Sequence, residues 1–173
     1  AAISGTGFFF SNEVLNDIGG WPFHLLTEDI DMATAYTDNG GVWTSTLDFF
    51  GTFEGNGYTI KNLKTNTGLF SKFNGYFQNV SIIDVVATGN AGVIAKSYVR
   101  TGVSDVWVNN VVVTLAGTER GCDWYFGLFG SVNIGSPIYL TNIYFRSDVA
   151  GRAYIYGEVG SGAIIMQNCW FVG

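Results

Sequence analysis

Hydrophobic and polar positions recur along residues 25–173 as a short repeated pattern. Six segments share the order apolar, polar, Asn or Asp, apolar, with Thr27 alone breaking the apolar first position. Their third residues are Asp29, Asn62, Asn79, Asp105, Asn142 and Asn168. Because no window combines apolar residues at helical spacing with capping residues, the pattern predicts short strands instead of helices.

A second motif, Gly followed by two apolar or β-branched residues, starts at Gly51, Gly68, Gly92 and Gly127, and Ala153 replaces the Gly of a fifth copy. The spacing between successive copies changes together in the two motifs. For example, Asn62 to Asn79 and Gly51 to Gly68 both span 17 residues. Two motifs that lengthen together indicate one structural unit with insertions at its corners. The sequence therefore predicts an all-β protein, a β-solenoid whose short strands stack as parallel sheets around one apolar column.

The Asn and Asp positions have a physical role in such a coil. The chain must bend sharply between strands, and Asn and Asp tolerate the left-handed conformation that sharp bends use. Stacked amides can also hydrogen-bond to one another from coil to coil. We therefore expect the six Asn and Asp residues to form one structural ladder.

Aromatic residues follow the ladder positions in the second half of the chain. Two places after Asp105, Asn142 and Asn168, strand alternation points Trp107, Tyr144 and Trp170 outward. Coils about 4.8 Å apart would join the three rings into one stripe, and exposed apolar stripes usually mark binding sites. Three interpretations remain open: an interface between subunits, a platform for glycans, or a surface covered by a corner insertion at residues 131–139.

The run Gly51-Thr52-Phe53-Glu54-Gly55-Asn56-Gly57, together with the later Gly-Leu-Phe segments, resembles GLUG-type β-helix repeats of bacterial surface and adhesin-like proteins. The resemblance implies a right-handed parallel β-helix of about five to six coils, related in architecture to phage tail spikes and fibres. It also implies an extracellular place on a cell or virion surface, and it carries no catalytic residues. Residues 1–24 are expected to form an N-terminal cap, and residues 25–173 the β-helix. The sequence leaves open whether this domain belongs to a longer chain or to an oligomer.

Charge and cysteine content exclude several other classes. The chain has 8 basic and 14 acidic residues, and residues 1–60 contain no Lys or Arg, so nucleic-acid binding is not expected. No apolar run reaches the roughly 18 residues of a membrane span, so membrane insertion is not expected either. Cys122 and Cys169 could form a bridge or remain buried thiols, and with His24 they give no zinc-ligand spacing. No cofactor is predicted.

An enzyme of the polysaccharide lyase or hydrolase type is the alternative to a binding module. Hydrolysis usually needs two carboxyl groups about 5–10 Å apart across one groove. The pattern instead places Asp29 and Asp105 in the ladder, and no second group of acids converges with them. Asp29, Asp31 and Asp38 are a weak candidate for calcium, although a solvated acidic loop is the favoured interpretation.

We therefore predict a non-catalytic attachment or structural module that binds a receptor or glycan through its side faces. We also expect a homo-oligomer or a larger surface assembly.

Overall fold

The computed structural model of the chain describes residues 2–3, 23–89, 91–99, 105–118, 126–133, 137–148, 156–159 and 164–173. Most of the predicted N-terminal cap lies outside these residues, as does Cys122. The division at residue 24 therefore stays a prediction.

The described chain consists of short parallel strands, two brief helical turns and the bends between them. The helical elements are α1 (Met32–Ala35) and a 3-10 turn (Asp38–Gly41). The strands are β1 (Ala2–Ile3), β2 (Phe23–Leu26), β3 (Ile30–Asp31), β4 (Val42–Trp43), β5 (Asp48–Glu54), β6 (Thr59–Lys61), β7 (Lys64–Thr65), β8 (Phe70–Ala87), β9 (Ala91–Val99), β10 (Val106–Thr118), β11 (Phe126–Asn133), β12 (Ile138–Ser147), β13 (Tyr156–Val159) and β14 (Ile164–Val172).

All strand pairings between described residues are parallel, as the sequence pattern predicts. The longest path through the sheet is β1-β2-β5-β8-β10-β12-β14, and the sheet is open at both ends of this path. Successive strands of this path from β2 to β14 are paired so that one residue of each lies opposite one residue of the next. One such row contains Leu25, Glu54, Gln78, Asn109, Thr141 and Gln167. An all-β chain that revisits the same register in parallel strands is consistent with a β-solenoid.

Alternation along each strand directs one set of side chains into a continuous apolar core. The core contains fully buried Phe, Val, Ile and Leu residues from β2 to β12. Phe49 stacks on Phe73 at 5.3 Å between ring centroids, and Phe53 stacks on Phe77 at 4.9 Å. Like residues therefore pack on like residues between neighbouring strands, which is the packing that a stacked repeat requires.

The two helical turns were not predicted, because four residues are too few to show a helical period. Asp31 caps α1 by accepting a hydrogen bond from the Ala33 N–H. Within the 3-10 turn, Asn39 and Gly40 adopt left-handed backbone conformations with φ of 50° and 65°. The two turns lie between β3 and β4, and Met32 at the start of α1 is buried in the core. Neither helical turn in the described part of the chain has the length or the apolar character that crossing a bilayer requires.

Candidate side-face binding site

An Asn ladder runs along one corner of the sheet. Pairing of β8, β10, β12 and β14 aligns Asn79, Asn110, Asn142 and Asn168, all left-handed with φ between 53° and 57°. The Asn110 Nδ2 donates to Asn79 Oδ1 at 3.0 Å, and the Asn168 Nδ2 donates to Asn142 Oδ1 at 2.6 Å. At the start of the ladder, the Asn79 Nδ2 donates to both carboxylate oxygens of Glu54.

Asp105 does not belong to this ladder, so its predicted position is wrong. Val106 pairs with Gly75 and Asn109 pairs with Gln78, which leaves Asn110 opposite Asn79. Asp105 precedes β10, where its carbonyl oxygen accepts a hydrogen bond from the Gly75 N–H.

Asp29 and Asn62 also lie outside the Asn ladder. Asn62, with φ of 59°, aligns with Asp84, with φ of 57°, so these two residues form a second corner column. The Asn62 Nδ2 donates to Asp31 Oδ1 at 2.9 Å. The Asp29 carboxylate is exposed and accepts a hydrogen bond from the Thr59 N–H at 2.8 Å. The sequence predicted one column, whereas the structure has two. Asp29 lies beside Thr59 and belongs to neither.

The predicted aromatic stripe is also divided. Tyr144 pairs with Trp170, as expected, whereas Trp107 pairs with Tyr139 and Tyr76 in a neighbouring column. Trp107 stacks on Tyr76 at 4.5 Å with 10° between the ring planes, and on Tyr139 at 5.8 Å with 9°. The register explains the error, because Trp107 lies three residues before the true ladder residue Asn110 and not two residues after one.

Val112 occupies the position that the sequence assigned to Trp107. Val112, Tyr144 and Trp170 share one register column, and these residues are 38%, 39% and 63% exposed. We call these three residues the exposed stripe. On the preceding strands the column continues with Ser81 and Thr59, so its apolar part is confined to β10, β12 and β14.

The two aromatic columns offer different surfaces to a ligand. In the stack of Tyr76, Trp107 and Tyr139, the faces of Trp107 are covered by the neighbouring rings, and all three side chains are half-buried. A sugar ring or an apolar side chain packs on the face of an aromatic ring, so this stack mainly stabilises the sheet. The exposed stripe is the better binding surface, because more than a third of each residue remains accessible.

The weak calcium candidates Asp29, Asp31 and Asp38 are not brought together as a ligand set. The Asp31 carboxylate already accepts hydrogen bonds from Ala33 and Asn62 and lies 3.5 Å from the Lys61 Nζ. Hydrogen bonds from these donors lower the pKa of Asp31, the bond from Asn62 contributing most. Across the described residues, no group of three or more His, Cys, Asp or Glu side chains could hold a metal ion.

His24 and Cys169 occupy structural positions. The His24 side chain is fully buried, with its ring edge-on to Phe49 at 5.1 Å. The half-buried Cys169 Sγ lies 3.4 Å from the carbonyl oxygens of Leu140 and Gln167. Cys169 is a free thiol in the structure. The choice between a bridge and buried thiols stays open for Cys122, which lies outside the described residues.

A cleft that the sequence did not predict lies between the 32–41 segment and β7 and β8 of the sheet. It is largely open to solvent and has a volume of about 640 Å³. Its outer wall contains Tyr36, Gly40 and Gly41, and its floor contains Asn62, Lys64 and Asp84. We call it the insertion cleft. One carboxylate and one amine face it, so its chemistry is polar and electrically balanced.

No protein family matches the chain, and neither a curated protein nor a solved structure matches it.

Proposed function

We propose that the chain is a non-catalytic attachment or structural module of an extracellular surface or virion protein. In this proposal it is a right-handed parallel β-helix of about five to six coils, similar to GLUG-type repeats. It binds a glycan or a surface receptor through its side face and assembles as a homo-oligomer. The observation that carries the proposal is the exposed stripe of Val112, Tyr144 and Trp170 in one register column.

The surroundings of the exposed stripe support a binding role. The exposed Asn142 and Asn168 side chains lie two residues before Tyr144 and Trp170, and the exposed Arg146 lies two residues after Tyr144. An apolar centre with polar residues on both sides is the usual anatomy of a protein interface. Aromatic side chains are also the preferred anchors of such surfaces. A regular sheet holds these anchors at fixed spacing, so little conformational entropy is lost when a ligand binds.

The insertion cleft bears on the enzymatic alternative. A glycosidase of the common type uses two carboxyl groups, one on each side of the scissile bond. Among the side chains that line the cleft, Asp84 supplies one carboxylate and Lys64 supplies an amine. This set favours binding over hydrolysis.

The test is a glycan-array screen of the purified chain and of the double variant Tyr144→Ala/Trp170→Ala. The wild type is expected to bind a defined subset of glycans, and the double variant to lose at least about tenfold in affinity, about 1.4 kcal/mol. Lys96→Ala is the control, because Lys96 is exposed and lies on β9, which is outside the path that carries the stripe. Equal binding by wild type and double variant would contradict the proposal. Release of new reducing ends from a polysaccharide panel would contradict its non-catalytic part.

A further inference from the structure

We propose that the insertion cleft is a second binding site, and that it takes a neutral, hydroxyl-rich ligand, a short oligosaccharide. The site is separate from the exposed stripe. The floor of the cleft belongs to β7, to β8 and to the bend after β6, whereas the stripe starts on β10. Either site can therefore fail without the other.

The size of the cleft fits an oligosaccharide. Binding sites for small organic molecules usually enclose about 300–1,000 Å³. A volume of about 640 Å³ lies inside this range. A single ion or one amino acid would leave most of this space filled with water.

The aromatic wall of the cleft is fixed before any ligand arrives. Tyr36 packs edge-on against Trp43, with 4.9 Å between ring centroids and 84° between ring planes. Trp43 is in turn held by a hydrogen bond from its Nε1 to the Leu69 carbonyl oxygen at 3.1 Å. A ring held in this way can pack against the C–H groups of a sugar at a small entropic cost.

The floor supplies both hydrogen-bond acceptors and donors. The Asp84 backbone is held by a hydrogen bond from its N–H to Thr114 Oγ1 at 2.9 Å. Its exposed carboxylate forms no hydrogen bond or ion pair with any described residue. The half-buried Lys64 pairs with Val86, two residues along the strand from Asp84. A carboxylate accepts from hydroxyl groups and an ammonium donates to them. Their charges cancel, so the cleft favours a neutral ligand whose hydroxyls do both.

Two glycines of the 3-10 turn line the cleft. Gly40 and Gly41 have φ of 65° and 78°, a region that residues with side chains seldom adopt. A Cβ built on Gly40 would meet no atom within 4 Å. A side chain at this position would strain the backbone without meeting a neighbouring atom.

The test is a titration of the ¹⁵N-labelled full chain, followed by NMR, with maltotriose, cellotriose and triacetylchitotriose as separate probes. Glycylglycine serves as a zwitterionic probe of matched charge balance. We expect at least one trisaccharide to shift the amide signals of Tyr36, Gly40, Gly41 and Asp84 in a saturable manner. We expect glycylglycine to leave them unchanged.

Asp84→Asn is the decisive variant, because Asn keeps the tolerance for φ of 57° while the charge is removed. It should weaken binding of the active trisaccharide at least about tenfold, since a charge-assisted hydrogen bond becomes a neutral one. Lys96→Gln and Tyr144→Ala/Trp170→Ala should bind as the wild type does, which separates this site from the exposed stripe. No saturable shift with any trisaccharide, binding of glycylglycine instead, or unchanged affinity in Asp84→Asn would each overturn the proposal.

Discussion

Left-handed residues explain where this chain bends. Among the described residues, those with positive φ other than glycine are seven Asn and one Asp: Asn39, Asn56, Asn62, Asn79, Asp84, Asn110, Asn142 and Asn168. Asn and Asp tolerate this conformation because their short polar side chains can hydrogen-bond locally. In the ladder the same side chains also join neighbouring strands. Each ladder Asn therefore has two functions, one in the backbone and one in its amide.

Asn79 allows these two functions to be measured separately. Asn79→Leu removes the amide and places a branched side chain at φ of 57°, so it should lower the free energy of unfolding by about 1–3 kcal/mol for the lost hydrogen bonds, with further loss from strain. Asn79→Gly removes the amide but accepts the backbone, so it should cost less. Urea unfolding of the three proteins measures both. A Leu variant as stable as the wild type would show that the ladder does not stabilise the fold.

The sequence identified three of the four ladder residues, Asn79, Asn142 and Asn168, and the errors have a physical cause. Val103-Ser104-Asp105-Val106 and Val108-Asn109-Asn110-Val111 both fit the pattern of apolar, polar, Asn or Asp, apolar. Strand pairing alone distinguishes them, and pairing is a non-local property. In the second column, Ile83 replaces the polar residue before Asp84, so the pattern missed that position.

Asp31 gives the chain a predictable response to acid. The hydrogen bond from Asn62, followed by those from Ala33 and Lys61, holds the pKa of Asp31 below its ordinary value. A carboxyl group whose pKa is lowered by folding contributes stability above its unfolded pKa, and this contribution is lost as pH falls through the folded value. The melting temperature should therefore decrease as the pH drops below about 4, partly because Asp31 becomes protonated.

Asp31→Asn tests this assignment, because Asn can still cap α1 but does not titrate. The variant should be less stable than the wild type at pH 6, and the difference should shrink towards pH 2. Melting curves recorded across this interval provide the measurement. Parallel pH profiles for the two proteins would mean that Asp31 contributes nothing to the acid response.

At the scale of strands, glycine determines how closely neighbouring strands approach each other. Gly75 on β8 pairs with Gly51 on β5, and a methyl group on Gly75 would overlap the Gly51 carbonyl oxygen. Gly92 pairs with Gly127, as their shared place in the glycine motif suggests, whereas Gly51 belongs to a different column from Gly68. The spacing argument thus predicted part of the glycine register.

Gly75→Ala should destabilise the protein by roughly 3 kcal/mol or more, because the overlap coincides with a φ of 109°. Gly117→Ala is the matched control, since Gly117 also lies within a strand but a Cβ there would meet nothing within 4 Å. Thermal unfolding of both variants gives the comparison. Equal melting temperatures would show that β5 and β8 can separate without cost.

At the scale of the whole molecule, the apolar core reaches an edge of the sheet at β14. Leu140 is fully buried, yet Met166, its partner in register on β14, is 52% exposed. Ile165 and Val172 on the same strand are also about half exposed. Among the described strands β14 pairs with β12 alone, and exposed apolar side chains of β14 lie beside its second edge. Such an edge favours pairing with a further strand, and for the isolated chain a second copy can supply that strand.

The proposed homo-oligomer can therefore be tested at β14. The mass in solution, measured by sedimentation, should rise with protein concentration because the edge and its apolar side chains are buried together on association. Met166→Lys places a charge in the continuation of the core column and should keep the chain monomeric, since charged side chains protect strand edges. Lys96→Met, which removes an exposed charge from β9, should leave association unchanged. A wild type that stays monomeric at every concentration would contradict self-association through β14, while the exposed stripe and the insertion cleft would remain open to their own tests.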